Sequence, residues 1–495
     1  MEAKAKAIPS PYKGWNTKDS LADMGEQYAI LLDNWFPSEG RVEIRPGYTE
    51  YATGLGGNVE TLAEYEYATA RVFLAAANGS FFNVSAAGAV GAALATGFSV
   101  NRWQYANMDG KIGFVNGTDA PQQYDGTTFG AMTISGTALT IANLIGVNIF
   151  GSRSYFWEEN SQDVWYSATN ALGGALTKFP LSRVGQFGGK LLAMGTWTRD
   201  AGDGMDDLAV FLMTSGEVIV YSGQDPASFS LVGVFRIGAP LAIRGMIKLG
   251  ADLLIITKDG YVPLKGVIDK GRVGDSGVLS DKINTEVSKA AQAYGSNFGW
   301  QAFHYPNGNM LIFNIPVSTN TTYQQHVFNT LTGAPCRFKN INARVWGLYN
   351  DNAYFGGSGS IYQFNDGYDD NGAVIDADGI TSSTYLGPRS QLKMVTAIQP
   401  IIASDGKVQT AIMTESDYKI PGVAFKSGTY SGGVSDWDTA SWDTATWSSG
   451  NYISKDWIST GQYGYNFITR IRIRSAFQKV KWYSINYLFN PAGLV

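Results

Sequence analysis

From about residue 59 to residue 367 the chain repeats one pattern: an apolar run, a short turn, and a second run rich in aromatic residues. Residues 72–77, Asn78-Gly79 and residues 80–84 are the first instance, and residues 105–108, Asp109-Gly110 and residues 111–115 follow. Asn-Gly and Asp-Gly between apolar runs predict tight hairpins, because both central residues of the favoured turn need positive φ. Further turn signals recur at Gly151-Ser152, Ser215-Gly216, Asp259-Gly260 and Asn307-Gly308, and residues 344–364 end the series. About six such groups, spaced about 40–50 residues apart, predict the irregular blades of a β-propeller. The repeats are degenerate, so a pair of β-sandwiches is the competing all-β arrangement.

The flanks read differently. In residues 13–51, Asp19 is a candidate helix cap, and Ile30, Leu31, Leu32 and Trp35 fall at nearly helical spacing before Pro37 ends the run. One helix is expected within the repeat region, capped by Ser280 or Asp281, with Ile283, Val287, Ala290 and Ala291 on its apolar face. Residues 366–379 are acidic and Gly-rich and read as a linker or long turn. Residues 381–409 and 459–489 read as long strands; Phe467, Ile471 and Ile473 alternate with Arg470, Arg472 and Arg474. The expected organisation is an N-terminal platform part (1–57), a propeller (58–367) and a C-terminal platform part (368–495), the two chain ends pairing into one discontinuous β-rich domain.

Composition strengthens the β reading. The chain has 495 residues, 44% hydrophobic but only 16% charged, with 13% aromatic residues and 59 glycines. Aromatic side chains suit pleated faces, and Gly suits tight turns. A net charge of −5 argues against a dedicated nucleic-acid binder, which carries a basic excess. Cys336 stands alone, so no intrachain disulfide framework is available. Residues 1–11 carry lysines without an apolar segment behind them, and no apolar run of membrane-spanning length occurs.

The candidate chemistry is sparse. His304 and His326 are the only histidines, without a second at ligand spacing, so structural roles are expected and no metal or cofactor is assigned. There is no Gly-x-Ser-x-Gly elbow and no phosphate-binding Gly-Lys-Ser/Thr loop. No catalytic residue is assigned. Two acidic clusters, Asp200/Asp203/Asp206/Asp207 and Asp366/Asp369/Asp370/Asp376/Asp378, have the composition of Ca²⁺ sites or of a glycosidase acid–base pair. Solvated turns are the favoured account of both.

Two features are candidate subunit or partner contacts. Trp437, Trp442 and Trp447 recur every five residues, a period of neither strand nor helix, so they form a winding loop. Packing on their own domain and partner contact rank equally for these rings, above sugar binding. The Arg470, Arg472 and Arg474 stripe faces either a partner or acidic neighbours across its own sheet, the latter favoured.

The chain ends carry a resemblance. Gly14-Trp15-Asn16, residues 21–24 and 29–32, Asn34, Gly40 and Arg45-Pro46-Gly47-Tyr48 resemble the N-terminus of the tail nozzle proteins of short-tailed bacteriophages, also called tail tubular protein B or tail hub and DNA-stabilisation proteins. The Trp-Asp-Thr-Ala repeat of residues 436–447 before a long C-terminal strand pair is similar to the same family. The resemblance covers residues 13–57 and 435–488. It implies a non-enzymatic virion protein, assembled in the host cytoplasm into a hexameric tube below the tail adaptor ring. Tail fibres or a needle would attach nearby, and double-stranded DNA would cross the lumen without sequence-specific binding. The competing expectation is a carbohydrate-binding or glycan-hydrolysing phage-tail propeller, which needs two carboxylates flanked by aromatics in one cleft.

Overall fold

The computed structural model describes residues 3–200, 205–270, 278–318, 321–406, 408–425 and 452–491. Hairpins dominate it. Asn78 and Gly79 adopt φ of 49° and 67°, and Asp109 and Gly110 adopt 49° and 71°, the positive values their turns require.

Antiparallel meanders succeed one another along the chain. Three are four-stranded sheets within residues 104–131, 144–180 and 191–236, and one is a three-stranded sheet within residues 246–263. Gln301–Tyr305, Met310–Ser318, Thr322–Asn329 and Pro335–Lys339 form another. The remaining two share the strand Tyr48–Tyr67. Its second half pairs with Ala70–Ala77, which leads on to Ser80–Asn83 and Ala95–Thr96. Its first half is the fourth strand of the last meander, beside Ser358–Phe364, Asn352–Gly356 and Val345–Tyr349.

The first strands of these meanders touch in cyclic order: Tyr48–Tyr67, Gln104–Met108, Leu144–Phe150, Leu191–Asp200, Met246–Leu249, Gln301–Tyr305, Val345–Tyr349 and Tyr48–Tyr67 again. The protein is all-β, a closed β-propeller with an adjoining β-rich platform built from both chain ends. This ring holds seven blades where turn spacing indicated about six. The last blade supplies only three strands of its own and borrows the fourth from residues 48–58, so it does not read as a complete repeat.

The propeller core is divided among the seams between neighbouring blades. Phe156, Trp165 and Val147 pack against Val115, Ile134 and Ala106; Tyr155 and Leu181 pack against Phe211 and Tyr221; Val218 and Val220 pack against Leu253 and Val262. At the closing seam a Cβ on Gly347 would lie 2.8 Å from Leu62 Cβ, and one on Gly356 would lie 2.8 Å from Val59. No side chain fits there.

In the platform, Lys4–Pro9 and Arg41–Ile44 pair antiparallel with Val480–Pro491 in a seven-stranded sheet. A second sheet crosses from propeller to platform. It begins with the four strands of the 301–339 blade and continues through Ala29–Asp33, Ile375–Thr381, Phe467–Ser475 and Gln409–Ser416. Between the sheets Trp35 and Trp482, one from each chain end, meet edge to face at 5.7 Å with neither exposed. Gly379 lies under both rings.

Three local expectations change. Ala29–Asp33 is a strand, not a helical turn. Ile375–Thr381 is a paired strand that takes up the end of the supposed linker. A short helix, Leu264–Lys270, precedes the expected one, which spans Asn284–Tyr294 and buries Val287, Ala290 and Ala291.

Gly347→Ala is expected to lower unfolding free energy by about 1–3 kcal/mol, the usual cost of overfilling a packed seam. Gly130→Ala, where a Cβ meets nothing within 4 Å, is the control and should stay within about 0.5 kcal/mol. Urea denaturation of both variants checks this; equal stability would show that the seam is loosely packed.

Candidate functional site

The residues carrying the N-terminal motifs converge where the platform joins the propeller. Arg45 is fully buried, and its Nη1 and Nη2 donate to the two oxygens of Asp370 at 2.8 and 2.6 Å. Nε donates to Asn34 Oδ1, Nη1 also to the Pro46 carbonyl, and Nη2 to the Lys339 carbonyl. Burial pushes the Asp370 carboxyl up, and Arg45 opposes that rise. Gly47 is required for a different reason: a Cβ there would lie 1.9 Å from the Asp369 carbonyl oxygen. Trp15 donates from its backbone to the Pro335 carbonyl and from Nε1 to the Ile30 carbonyl, while Asn16 caps the turn through Lys18 and Asp19. Both motifs therefore tie the chain start to the 301–339 blade and the 366–372 turn.

The Arg470, Arg472 and Arg474 stripe lies on the sheet that crosses the junction. Its pairing strand places Asp378 opposite Arg472 and Asp376 opposite Arg474. Arg470 grips Asp378 through Nε at 2.9 Å and Nη2 at 2.6 Å. Asp376 accepts from Arg472 at 2.9 Å and from Arg474 at 3.3 Å. One strand further, Asp33 pairs with Arg337 at 2.7 Å and Lys339 at 2.8 Å. The Phe425 ring covers Arg472 and Arg474, 4.9 and 4.3 Å from their guanidinium carbons. Arg470 also reaches the Pro421 carbonyl. The stripe is thus compensated by its own sheet. Trp437, Trp442 and Trp447 lie outside the described residues.

The 366–378 acidic cluster is not a set of solvated turns. Asp369 and Asp370 are buried, and Asp370, Asp376 and Asp378 each hold an arginine. The reason is that their partners arrive from other parts of the chain. In the other cluster Asp207 accepts from Thr198 Oγ1; Asp203 and the side chains of Asp200 and Asp206 lie outside what is described. Among the described residues no three His, Cys, Asp or Glu side chains converge as a metal site. His326 is a core residue, 2.8 Å from the Tyr261 hydroxyl through Nδ1 and edge-on to Trp15. Burial, with a smaller contribution from Arg337, holds its pKa at about 3. Cys336 is buried and its thiol is pushed well up.

A feature invisible to sequence reading is a cavity of about 580 Å³ at one mouth of the propeller axis. Its wall includes Gln104, Ile145, Leu192, Arg244, Gln301 and Arg344, each at or just before the start of a first strand, and the 295–300 loop. Nothing in their local sequence marks them, because only ring closure assembles them.

No protein-family model matches the chain, and no curated protein matches it. Solved structures resemble it in fold. BBS1N, crystallised in complex with ARL6DN, is 7% identical over 65% of this chain and 97% of its own, with a TM-score of 0.41. The Neurospora crassa Pan2 WD40 domain is 9% identical over 64% and 95%, TM-score 0.38. PorZ, a bacterial surface component of the type-IX secretion system of Porphyromonas gingivalis, is 11% identical over 71% and 44%, TM-score 0.37.

Arg45→Met should destabilise the protein by about 3–5 kcal/mol, the cost of leaving a buried carboxylate unpaired. Arg45→Met combined with Asp370→Leu should recover much of that loss. Denaturant midpoints of the single and double variants decide it; equal loss in both would mean that the ion pair is not the source of the effect.

Proposed function

We propose that the protein is a structural virion component, one subunit of the tail nozzle of a short-tailed phage. The observation that carries the reading is the uneven distribution of exposed apolar side chains. Of the sixteen exposed large apolar side chains among the described residues, ten belong to the C-terminal part of the platform, Met394, Tyr418, Ile420, Trp457, Tyr463 and Tyr465 among them, and six to the much longer propeller. Met394 and Tyr463 are direct cross-strand partners. Exposed aromatic and Met side chains gathered on one part of a molecule suit burial against another subunit. In this reading the platforms contact one another around a closed ring, most simply a hexamer, through repeated head-to-tail contacts.

The placement of the resemblance supports the same reading: Gly14-Trp15-Asn16 and Arg45-Pro46-Gly47 lie at the joint that would transmit load from platform to propeller. The adaptor ring, fibres or needle and the transiting DNA are the partners this assembly would have, with location in the virion tail. A net charge of −5 disfavours adhesion of the genome to a lumen lined by these subunits. The cavity on the propeller axis carries guanidinium groups and the single carboxylate of Glu159 on its wall, which does not favour the glycan-hydrolase alternative.

Sedimentation equilibrium of the purified protein, alone and with the adaptor of its phage, tests this. A ring, or a 53.5 kDa monomer that assembles on the adaptor, is expected. The pair Met394→Lys and Tyr463→Glu should weaken assembly at least about tenfold while leaving thermal stability nearly unchanged, since both positions are exposed and the new charges are opposite across the strands. A monomer indifferent to the adaptor that degrades a bacterial polysaccharide would overturn the reading.

A further inference from the structure

Three arginines from different blades meet at the axial cavity. Arg244, just ahead of the 246–263 blade, reaches across to donate to the Glu60 and Trp103 carbonyls at 2.8 Å each and to Thr61 Oγ1 at 3.2 Å. Arg102 stacks on Phe298 with its guanidinium carbon 3.9 Å from the ring centroid, and reaches Glu60 Oε1 at 3.2 Å. Arg344, only 8% exposed, also lines the cavity, and its buried Nη1 has no hydrogen-bond partner. The nearby Tyr323 hydroxyl is likewise buried; desolvation raises its pKa, and Arg344 opposes that rise by its charge and by a side-chain contact short of good hydrogen-bond geometry.

The charges do not balance. Glu60, 8% exposed, is the buried carboxylate among these groups, and Glu159 stands exposed at the rim. Desolvation lowers the pKa of Arg244 to about 10; Tyr105 and Glu60 oppose the fall and Arg102 adds to it. A nearly buried guanidinium with no carboxylate paired to it costs free energy that an anionic oxygen acceptor would offset. The rest of the wall is apolar or neutral, including Ile145, Leu192, Leu241 and Ile243 beside Gln104 and Gln301.

We propose that the axial cavity is a binding site for a small oxyanion, a phosphate or carboxylate group on a compact ligand, received by Arg344 with Arg102 and Arg244 around it. The cavity volume of about 580 Å³ suits such a ligand and is too small for a folded partner. This site is independent of the nozzle reading.

Isothermal titration with inorganic phosphate and with succinate, at constant ionic strength and against a chloride control, tests the proposal on the full chain. Saturable binding of either probe is expected, and the tighter of the two identifies the head group. Arg344→Gln should weaken it at least about tenfold, as loss of a charge-assisted hydrogen bond does, while Arg344→Lys should retain part of it. Glu159→Gln, at an exposed position that poses no threat to folding, should tighten binding by removing a like charge from the rim. Binding of neither probe, or affinity unaltered in both Arg344→Gln and Glu159→Gln, would overturn it.

Discussion

The strand Tyr48–Tyr67 has to pair twice, and the rest of the molecule depends on that. Its first half completes the last blade and its second half begins the first, so one continuous backbone spans the closing seam. Bringing residues 48–58 to residues 358–364 closes a loop of roughly 300 residues, an entropic cost of about 5 kcal/mol. Backbone pairing along the strand and burial of Ala52, Leu55, Ile361 and Val59 offset it. Gly347 and Gly356 permit the approach. With the ring closed, the next residues upstream, Arg45-Pro46-Gly47, are held against Asp369 and Asp370, and the chain start is locked into the platform.

A second constraint shapes the surface. The polar face of the sheet joining propeller and platform is compensated within the sheet: Asp33, Asp376 and Asp378 alternate with Arg337, Lys339, Arg470, Arg472 and Arg474. Half-buried bidentate pairs of this kind fix strand register more than they add stability. Charge used within this sheet is not offered to a partner; elsewhere the platform exposes Met394, Trp457, Tyr463 and Tyr465 beside charged residues such as Lys455 and Asp456. The axial cavity is the opposite case, where ring closure gathers more guanidinium than carboxylate.

Local patterns carried much of the fold. Asn78-Gly79 and Asp109-Gly110 were legible as hairpins because the turn chemistry is local, and the Phe467, Ile471, Ile473 face was legible because one side of that strand is buried. Ile30, Leu31 and Leu32 misled because the strand Ala29–Asp33 shifts register between Ala29 and Leu31 where it pairs with Ile375–Thr381, which breaks the alternation that identifies a strand. Asp370 read as solvent-facing because its partner Arg45 is 325 residues away in sequence. Arg102, Arg244 and Arg344 had no signature for the same reason. Distances in the chain hide what topology joins.

The most direct test of the proposed nozzle is imaging of the assembly: class averages of the protein alone and after addition to the adaptor ring of a short-tailed phage. The proposed nozzle requires closed rings in which platforms touch and propellers project outward. Isolated single particles under both conditions, or rings held together by propeller faces with the Met394–Tyr463 surface left bare, would contradict it.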